Sequence, residues 1–102
     1  MYLIEIFLPL ADNEGKAFTQ SAFEAVEKEL VERFGGVTSY PRAPASGLWK
    51  DSAAAKVQDD LLVYEVMAEE LDQNWWSRYR ERLERSFRQE KLVVRSQEIQ
   101  LL

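Results

Sequence analysis

The segment Phe34-Gly35-Gly36-Val37-Thr38-Ser39-Tyr40 marks the place where a helix ends and an extended segment begins. A second extended segment, Asp59-Asp60-Leu61-Leu62-Val63-Tyr64-Glu65-Val66, runs back, so the middle of the chain predicts a hairpin. Gly35 is the expected helix terminator, because a left-handed backbone conformation penalises any residue that has a Cβ. One strand-like and one helix-like segment lie on each side of this hairpin, so the two halves have the same plan.

The first half begins with alternation and continues with helical periodicity. Residues 2–9 alternate in the way typical of a strand, with one apolar face made of Tyr2, Ile4, Ile6 and Leu8. Residues 20–34 predict a helix, because apolar side chains recur at helical spacing: Phe23, Val26, Leu30 and Phe34. Its N-cap is either Thr19 or Ser21, the second of which fits a capping box with Glu24.

The second half repeats this order. Residues 59–68 are densely apolar and alternating, which predicts a central strand. Residues 72–89 predict a helix with Asp72 as its N-cap and with a buried stripe of Trp76, Tyr79, Leu83 and Phe87. Residues 91–98 form the last predicted strand.

These elements predict an α+β fold of the ferredoxin-like βαββαβ type in one domain, residues 1–102. Strand–helix–strand units cross over right-handed, and two of them interlock as a four-stranded antiparallel sheet of order 4-1-3-2 with both helices on one face. Pro41 and Pro44 confine the strand predicted near 36–42 to a sheet edge. The competing interpretation is a three-stranded sheet in which 37–50 is a long loop.

Composition excludes several kinds of chemistry. The 102 residues contain no cysteine and no histidine, which rules out a disulfide framework and histidine-based catalysis within one chain. The formal net charge of −5 argues against nucleic acid as a partner. We expect no metal and no cofactor. Neither a signal peptide nor a membrane-spanning segment is indicated, so we expect no membrane association and a cytoplasmic location.

A family resemblance rests on Phe34-Gly35-Gly36-Val37-Thr38, followed by Gly47-Leu48-Trp49 and a valine-rich strand. In these residues the chain resembles small uncharacterised bacterial proteins of the ferredoxin-like, dimeric α+β barrel type. The resemblance implies this fold and dimerisation. Relatives in that superfamily include ligand-binding modules and cofactor-free or haem-using oxygenases and isomerases. The haem degraders among them rely on a histidine, which this chain lacks.

The sheet face away from the helices carries the candidate catalytic residues. Glu5 lies on a strand flanked by the strands of Glu65 and Arg95, all among apolar side chains. Two carboxylates that lie close together in an apolar setting can provide a general base, so Glu5 and Glu65 are the catalytic candidates. The alternative interpretation is that Arg95 simply pairs with a glutamate, or that the charges prevent unwanted association.

Other large or charged side chains are candidates for ligand binding or for an interface. The ligand-binding candidates are Arg42, Trp49, Trp75 and Arg95. The apolar residues predicted on the same face would form a homodimer interface, because exposed together they exceed what a monomer usually tolerates: Leu3, Phe7, Leu61, Val63, Met67 and Val93.

Two classes of function remain open at this point. The favoured interpretation is a homo-oligomeric small-molecule-binding or accessory module without identifiable catalysis. The alternative is a small cofactor-independent enzyme, isomerase- or oxygenase-like, that uses Glu5 or Glu65 as general base on a hydrophobic acid.

Overall fold

The computed structural model describes residues 1–42 and 61–102 and has the predicted βαββαβ order. Its elements are β1 (Tyr2–Pro9), α1 (Gln20–Phe34), β2 (Thr38–Arg42), β3 (Leu61–Ala68), α2 (Gln73–Ser86) and β4 (Val94–Glu98). The four strands pair antiparallel in the order β2-β3-β1-β4. The predicted ferredoxin-like fold and its strand order 4-1-3-2 are therefore confirmed.

The two central strands, β1 and β3, supply the sheet's contribution to the core. They pair along all eight residues, with Ile4 opposite Val66 and Ile6 opposite Tyr64. These four side chains are at most 2% exposed. Since side chains alternate along a strand, the residues between them face the opposite side of the sheet.

The two helices cover this apolar side of the sheet. Val26 and Leu30 are the buried residues of α1, and the predicted stripe of α2 is buried as expected: Trp76, Tyr79, Leu83 and the following Phe87. The Tyr64 hydroxyl donates to Glu27 Oε2 at 2.7 Å, which ties the centre of the sheet to α1. Burial and the negative charge of Glu27 raise the pKa of Tyr64 well above its usual range.

Side-chain caps fix where the helices begin. Thr19 is the N-cap of α1, since its Oγ1 accepts from the backbone N–H of Ala22 at 3.3 Å. Asp72 caps α2 as predicted, and its Oδ1 accepts from Trp75 N–H at 3.0 Å. Gly35 ends α1 with a φ of 86°, the left-handed conformation expected at this position.

Three predicted segments are shorter in the structure. The strand predicted near 36–42 begins at Thr38, and the strand predicted near 91–98 begins at Val94. The helix predicted to reach residue 89 ends at Ser86, because Arg88 adopts a left-handed φ of 50° without any glycine to signal the turn. The predicted hairpin between 43 and 60, including the first two residues of the predicted third strand, lies outside the described residues.

Among the described residues, neither helix has the length and apolar character needed to cross a membrane.

The two adjacent glycines after α1 allow a test of the helix terminator. Gly35 has a positive φ, whereas Gly36 does not, and neither would bring a Cβ within 4 Å of another group. We expect Gly35→Ala to lower the free energy of unfolding by about 1 kcal/mol, because an L side chain is strained in the left-handed region. Gly36→Ala is the matched control and should be neutral or slightly stabilising. Denaturant unfolding measures both, and equal losses would contradict this account.

Candidate functional site

The sheet face opposite the helices, which we call the open face, carries a polar row that crosses all four strands. Glu5 on β1 lies opposite Glu65 on β3 and opposite Arg95 on β4. Glu65 in turn lies opposite Thr38 on β2. Directly opposed residues point to the same side of a sheet, so this register brings Glu5, Glu65 and Arg95 together as the sequence predicts.

Glu5 is the centre of the row and is only 8% exposed. Its Oε1 accepts a hydrogen bond from Arg95 Nε at 2.9 Å. Its Oε2 lies 3.5 Å from the Tyr40 hydroxyl. A buried carboxylate needs such partners, because removing its charge from water is otherwise costly. The positive charge of Arg95 therefore compensates the negative charge of Glu5. Glu65, on the neighbouring strand, adds a second negative charge close to Glu5.

Tyr40 connects the two glutamates. Its hydroxyl lies 3.3 Å from Glu65 Oε2 as well as near Glu5, and a single hydroxyl proton can serve only one of them at a time. Loss of water around the phenol, followed by the negative charges of Glu65 and Glu5, raises the pKa of Tyr40 above its usual range. Tyr40 thus remains a neutral hydrogen-bond donor near neutral pH.

An aromatic side chain beside the row is framed by two arginines. The guanidinium carbon of Arg95 lies 4.8 Å from the centre of the Phe7 ring, and that of Arg42 lies 5.5 Å from it. Both distances are within the range of cation–π attraction. Arg95 therefore acts twice on the open face, as the partner of Glu5 and as a neighbour of Phe7.

The predicted interface residues differ in exposure. Phe7 is 7% and Val63 0% exposed, so these two are already buried in the single chain. Met67 and Val93 are 51% and 53% exposed, and Leu3 and Leu61 are intermediate. The apolar area offered by the open face is therefore smaller than the sequence pattern suggests, and Met67 and Val93 dominate it.

A shallow cavity of about 350 Å³ opens on this face, lined by Glu5, Arg95, Ser96 and Gln97. Within the described ranges no group of three or more Asp, Glu, His or Cys side chains is arranged to hold a metal ion. Among the hydrogen bonds between described residues, Glu65 accepts from the Tyr40 hydroxyl.

The predicted ligand-binding residues lie in different parts of the fold. Arg42 and Arg95 lie on the open face beside Phe7. Trp75 does not: it lies on α2, where its ring stacks on Tyr79 at 4.8 Å and on the Arg33 guanidinium at 4.2 Å. Trp49 lies outside the described residues.

Tyr40 is the site residue that the sequence analysis missed. Its strand carries no apolar alternation and contains a proline, so the local pattern does not indicate which face of the sheet its side chains occupy. Once β2 pairs with β3, Tyr40 lies opposite Val63 and two positions from Thr38, which places its side chain on the same face as Glu65.

Comparison with known proteins shows the fold and leaves the reaction open. No protein-family model matches the chain, and no curated protein sequence matches it. Among solved structures it is similar to a phage SAM lyase in complex with S-methyl-5'-thioadenosine, with a TM-score of 0.63 and 15% sequence identity. The match covers 95% of this chain and 80% of the lyase chain. At that identity the similarity establishes a shared fold, and a fold alone assigns no activity.

The Glu5–Arg95 pair can be tested with a double-mutant cycle. We expect Arg95→Met and Glu5→Gln to show a favourable coupling of about 1 kcal/mol in the free energy of unfolding, since Glu5 is buried and its partner is close. Denaturant unfolding of wild type, both single variants and the double variant gives this value.

The pair Arg33–Asp72 is a suitable control, because its atoms are 3.8 Å apart and both side chains are about half exposed. Arg33→Met with Asp72→Asn, which keeps an N-cap side chain, should show a coupling below about 0.5 kcal/mol. Similar coupling energies for the two pairs would contradict this expectation, because the Glu5–Arg95 pair would then stabilise the fold no more than an exposed ion pair does.

Proposed function

We propose that this chain is a small-molecule-binding module whose site is the open face. The observation that carries the proposal is the cluster in which Tyr40 lies between the carboxylates of Glu5 and Glu65. A group of buried and half-buried polar side chains beside apolar residues is the usual composition of a ligand site. If these side chains served only to stabilise the sheet, the Glu5–Arg95 pair would be sufficient. A second carboxylate, that of Glu65, would not be needed directly opposite Glu5.

The chemistry of the open face defines the ligand class. Glu5 is already occupied by Arg95, so Glu65 is the acceptor that a ligand would use. The ligand therefore carries a hydrogen-bond donor or a positive charge, together with an apolar part that covers Met67 and Val93. The phage lyase of similar fold was solved with S-methyl-5'-thioadenosine, a molecule that combines donor groups with an apolar thioether. That similarity supports this class as a starting point for ligand screening.

A second candidate function is a cofactor-independent enzyme, isomerase- or oxygenase-like, that uses a sheet-face glutamate as general base. The observation in its favour is the Tyr40 hydroxyl 3.3 Å from Glu65, which puts a proton donor beside a carboxylate. Glu65 suits the role of base better than Glu5, because Glu5 Oε1 is engaged by Arg95. The activity of the lyase of similar fold makes SAM a substrate worth testing.

Self-association is part of the proposal. Met67 and Val93 remain about half exposed on a face where Glu5, Phe7 and Val63 are buried. Pairing two open faces across a two-fold axis would cover both side chains and enclose the ligand between the subunits. We place this homodimer in the cytoplasm, with neither nucleic acid nor membrane as a partner, in keeping with the net charge of −5 and the sequence pattern.

Ligand binding at Glu65 can be measured by calorimetry and mapped by NMR. With S-methyl-5'-thioadenosine and SAM as first probes, we expect binding that shifts the resonances of Tyr40 and Arg95. Glu65→Gln should weaken binding about tenfold, because it removes the charge that strengthens the hydrogen bond. Glu24→Gln changes the same charge on the exposed face of α1 and should leave the affinity unchanged.

The same samples separate the two candidate functions. Formation of S-methyl-5'-thioadenosine from SAM, detected by mass spectrometry and lost in Glu65→Gln, would favour the enzyme. Binding without turnover would favour the module. If neither probe binds, a thermal-shift screen of amines and nucleosides extends the test. The proposal fails if no compound of this class binds, or if every binder maps away from the open face.

Dimerisation has its own test in light scattering. We expect a dimer mass for the wild-type chain at micromolar concentration and a monomer mass for Met67→Lys, because a charge in the centre of an apolar interface is costly to bury. Val31→Lys is the matched control, since Val31 is 46% exposed on α1 and outside the open face. A monomeric wild-type protein that does not aggregate would contradict the homodimer.

A further inference from the structure

A groove of about 250 Å³ lies between α2 and β4, on the helix side of the sheet. Its apolar part is formed by Ile4, Trp76 and Val94. Its polar part is formed by Gln73, Ser77, Arg80 and Ser96. The groove therefore offers an apolar surface and several hydrogen-bond donors within a volume suited to a small organic molecule.

Arg80 is the unusual member of this set. Its Nε is buried and has no hydrogen-bond partner in the part of the chain that the structure describes. Four other arginines are paired with acidic residues there, namely Arg33, Arg82, Arg88 and Arg95. A buried N–H group without an acceptor is unfavourable, because it has lost its water, and such groups in proteins commonly mark a place where a partner is missing.

The charges around the groove favour an anion. Its lining includes Arg80 and, among the described residues, no carboxylate, although the chain as a whole has a net charge of −5. Arg95 also lines the groove, but its guanidinium is bonded to Glu5, so Arg80 is the cation that a ligand would meet. The nearby acid Asp72 is engaged by the Trp75 backbone N–H and lies 3.8 Å from Arg33. The groove begins at the first turn of α2, where Gln73 lies and where the helix dipole favours negative charge.

We propose that this groove binds a small organic carboxylate with an apolar body. The carboxylate accepts from the Arg80 guanidinium, whose planar fork matches the two oxygens of a carboxylate. Because Nε now lies below the surface, binding includes a turn of the Arg80 side chain toward the groove. The hydroxyls of Ser77 and Ser96 and the Gln73 amide supply further donors.

The apolar part of the groove determines the rest of the ligand. An aromatic or branched aliphatic group would cover Trp76, Ile4 and Val94 and gain from removing their surface from water. Inorganic phosphate has no apolar part, so it would leave this surface uncovered. The proposal therefore concerns an acid with an apolar body and a single negative head group, and it is independent of the function proposed for the open face.

The test is an NMR titration of the full chain with phenylacetate, isovalerate and indole-3-acetate. We expect saturable shifts at the Trp76 indole N–H, at the Gln73 side-chain amide and at the Ser77 and Ser96 amides. Phenylacetamide has nearly the same shape without the charge and should bind about tenfold more weakly or less. Inorganic phosphate should cause no saturable shift at Trp76.

Variants on α2 then separate a binding role from a structural one. Arg80→Met should weaken phenylacetate binding about tenfold, whereas Arg78→Met, which removes the same charge from an exposed position of the same helix, should not change it. Ser77→Leu fills the groove from an exposed position and should abolish binding while the fold is kept. The proposal is overturned if none of the three acids binds in the groove, if phosphate or phenylacetamide binds as well as phenylacetate, or if Arg80→Met and Ser77→Leu bind normally.

Discussion

Strand β1 is paired on both sides, and this constraint positions the core and the candidate site together. Each residue from Tyr2 to Ile6 has one neighbour on β3 and another on β4. Alternation sends Ile4, Ile6 and Leu8 into the core and sends Glu5 and Phe7 to the open face. A shift by one residue would exchange the two sets and bury Glu5 among the helices, away from the Arg95 side chain that now compensates its charge. The apolar residues of β1 thus fix the register that places Glu5 between Glu65 and Arg95.

The same constraint explains which features could be predicted from the sequence. β1 and α1 have the predicted bounds, because their periodic patterns are long and end at Pro9 and Gly35. The edge strands β2 and β4 are shorter than predicted, since an edge strand buries little and its pattern carries less information. α2 ends before the predicted residue 89, because Arg88 takes the left-handed conformation that a glycine usually signals.

For the site, alternation together with the predicted strand order was sufficient to bring Glu5, Glu65 and Arg95 together. The role of Tyr40 depends on the register of an exposed strand, which local pattern alone does not provide. The burial of Phe7 and Val63 is also not predictable from alternation, because alternation indicates which face a side chain occupies and not how far that face is covered. Arg42 and Arg95, whose guanidinium groups lie near the Phe7 ring, come from opposite edges of the sheet.

The two candidate sites on either side of β4 have opposite charge preferences, and this limits what each can bind. On the open face Arg95 is used by Glu5, so the group left for a ligand is the Glu65 carboxylate. In the groove the acid Asp72 is engaged elsewhere, so the group left for a ligand is the Arg80 guanidinium. We therefore expect the groove to favour an anion and Glu65 to favour a cation. Since β4 is only five residues long and Arg95 and Ser96 line both cavities, this difference depends on the Arg95–Glu5 bond, which keeps the positive charge of Arg95 on the open face.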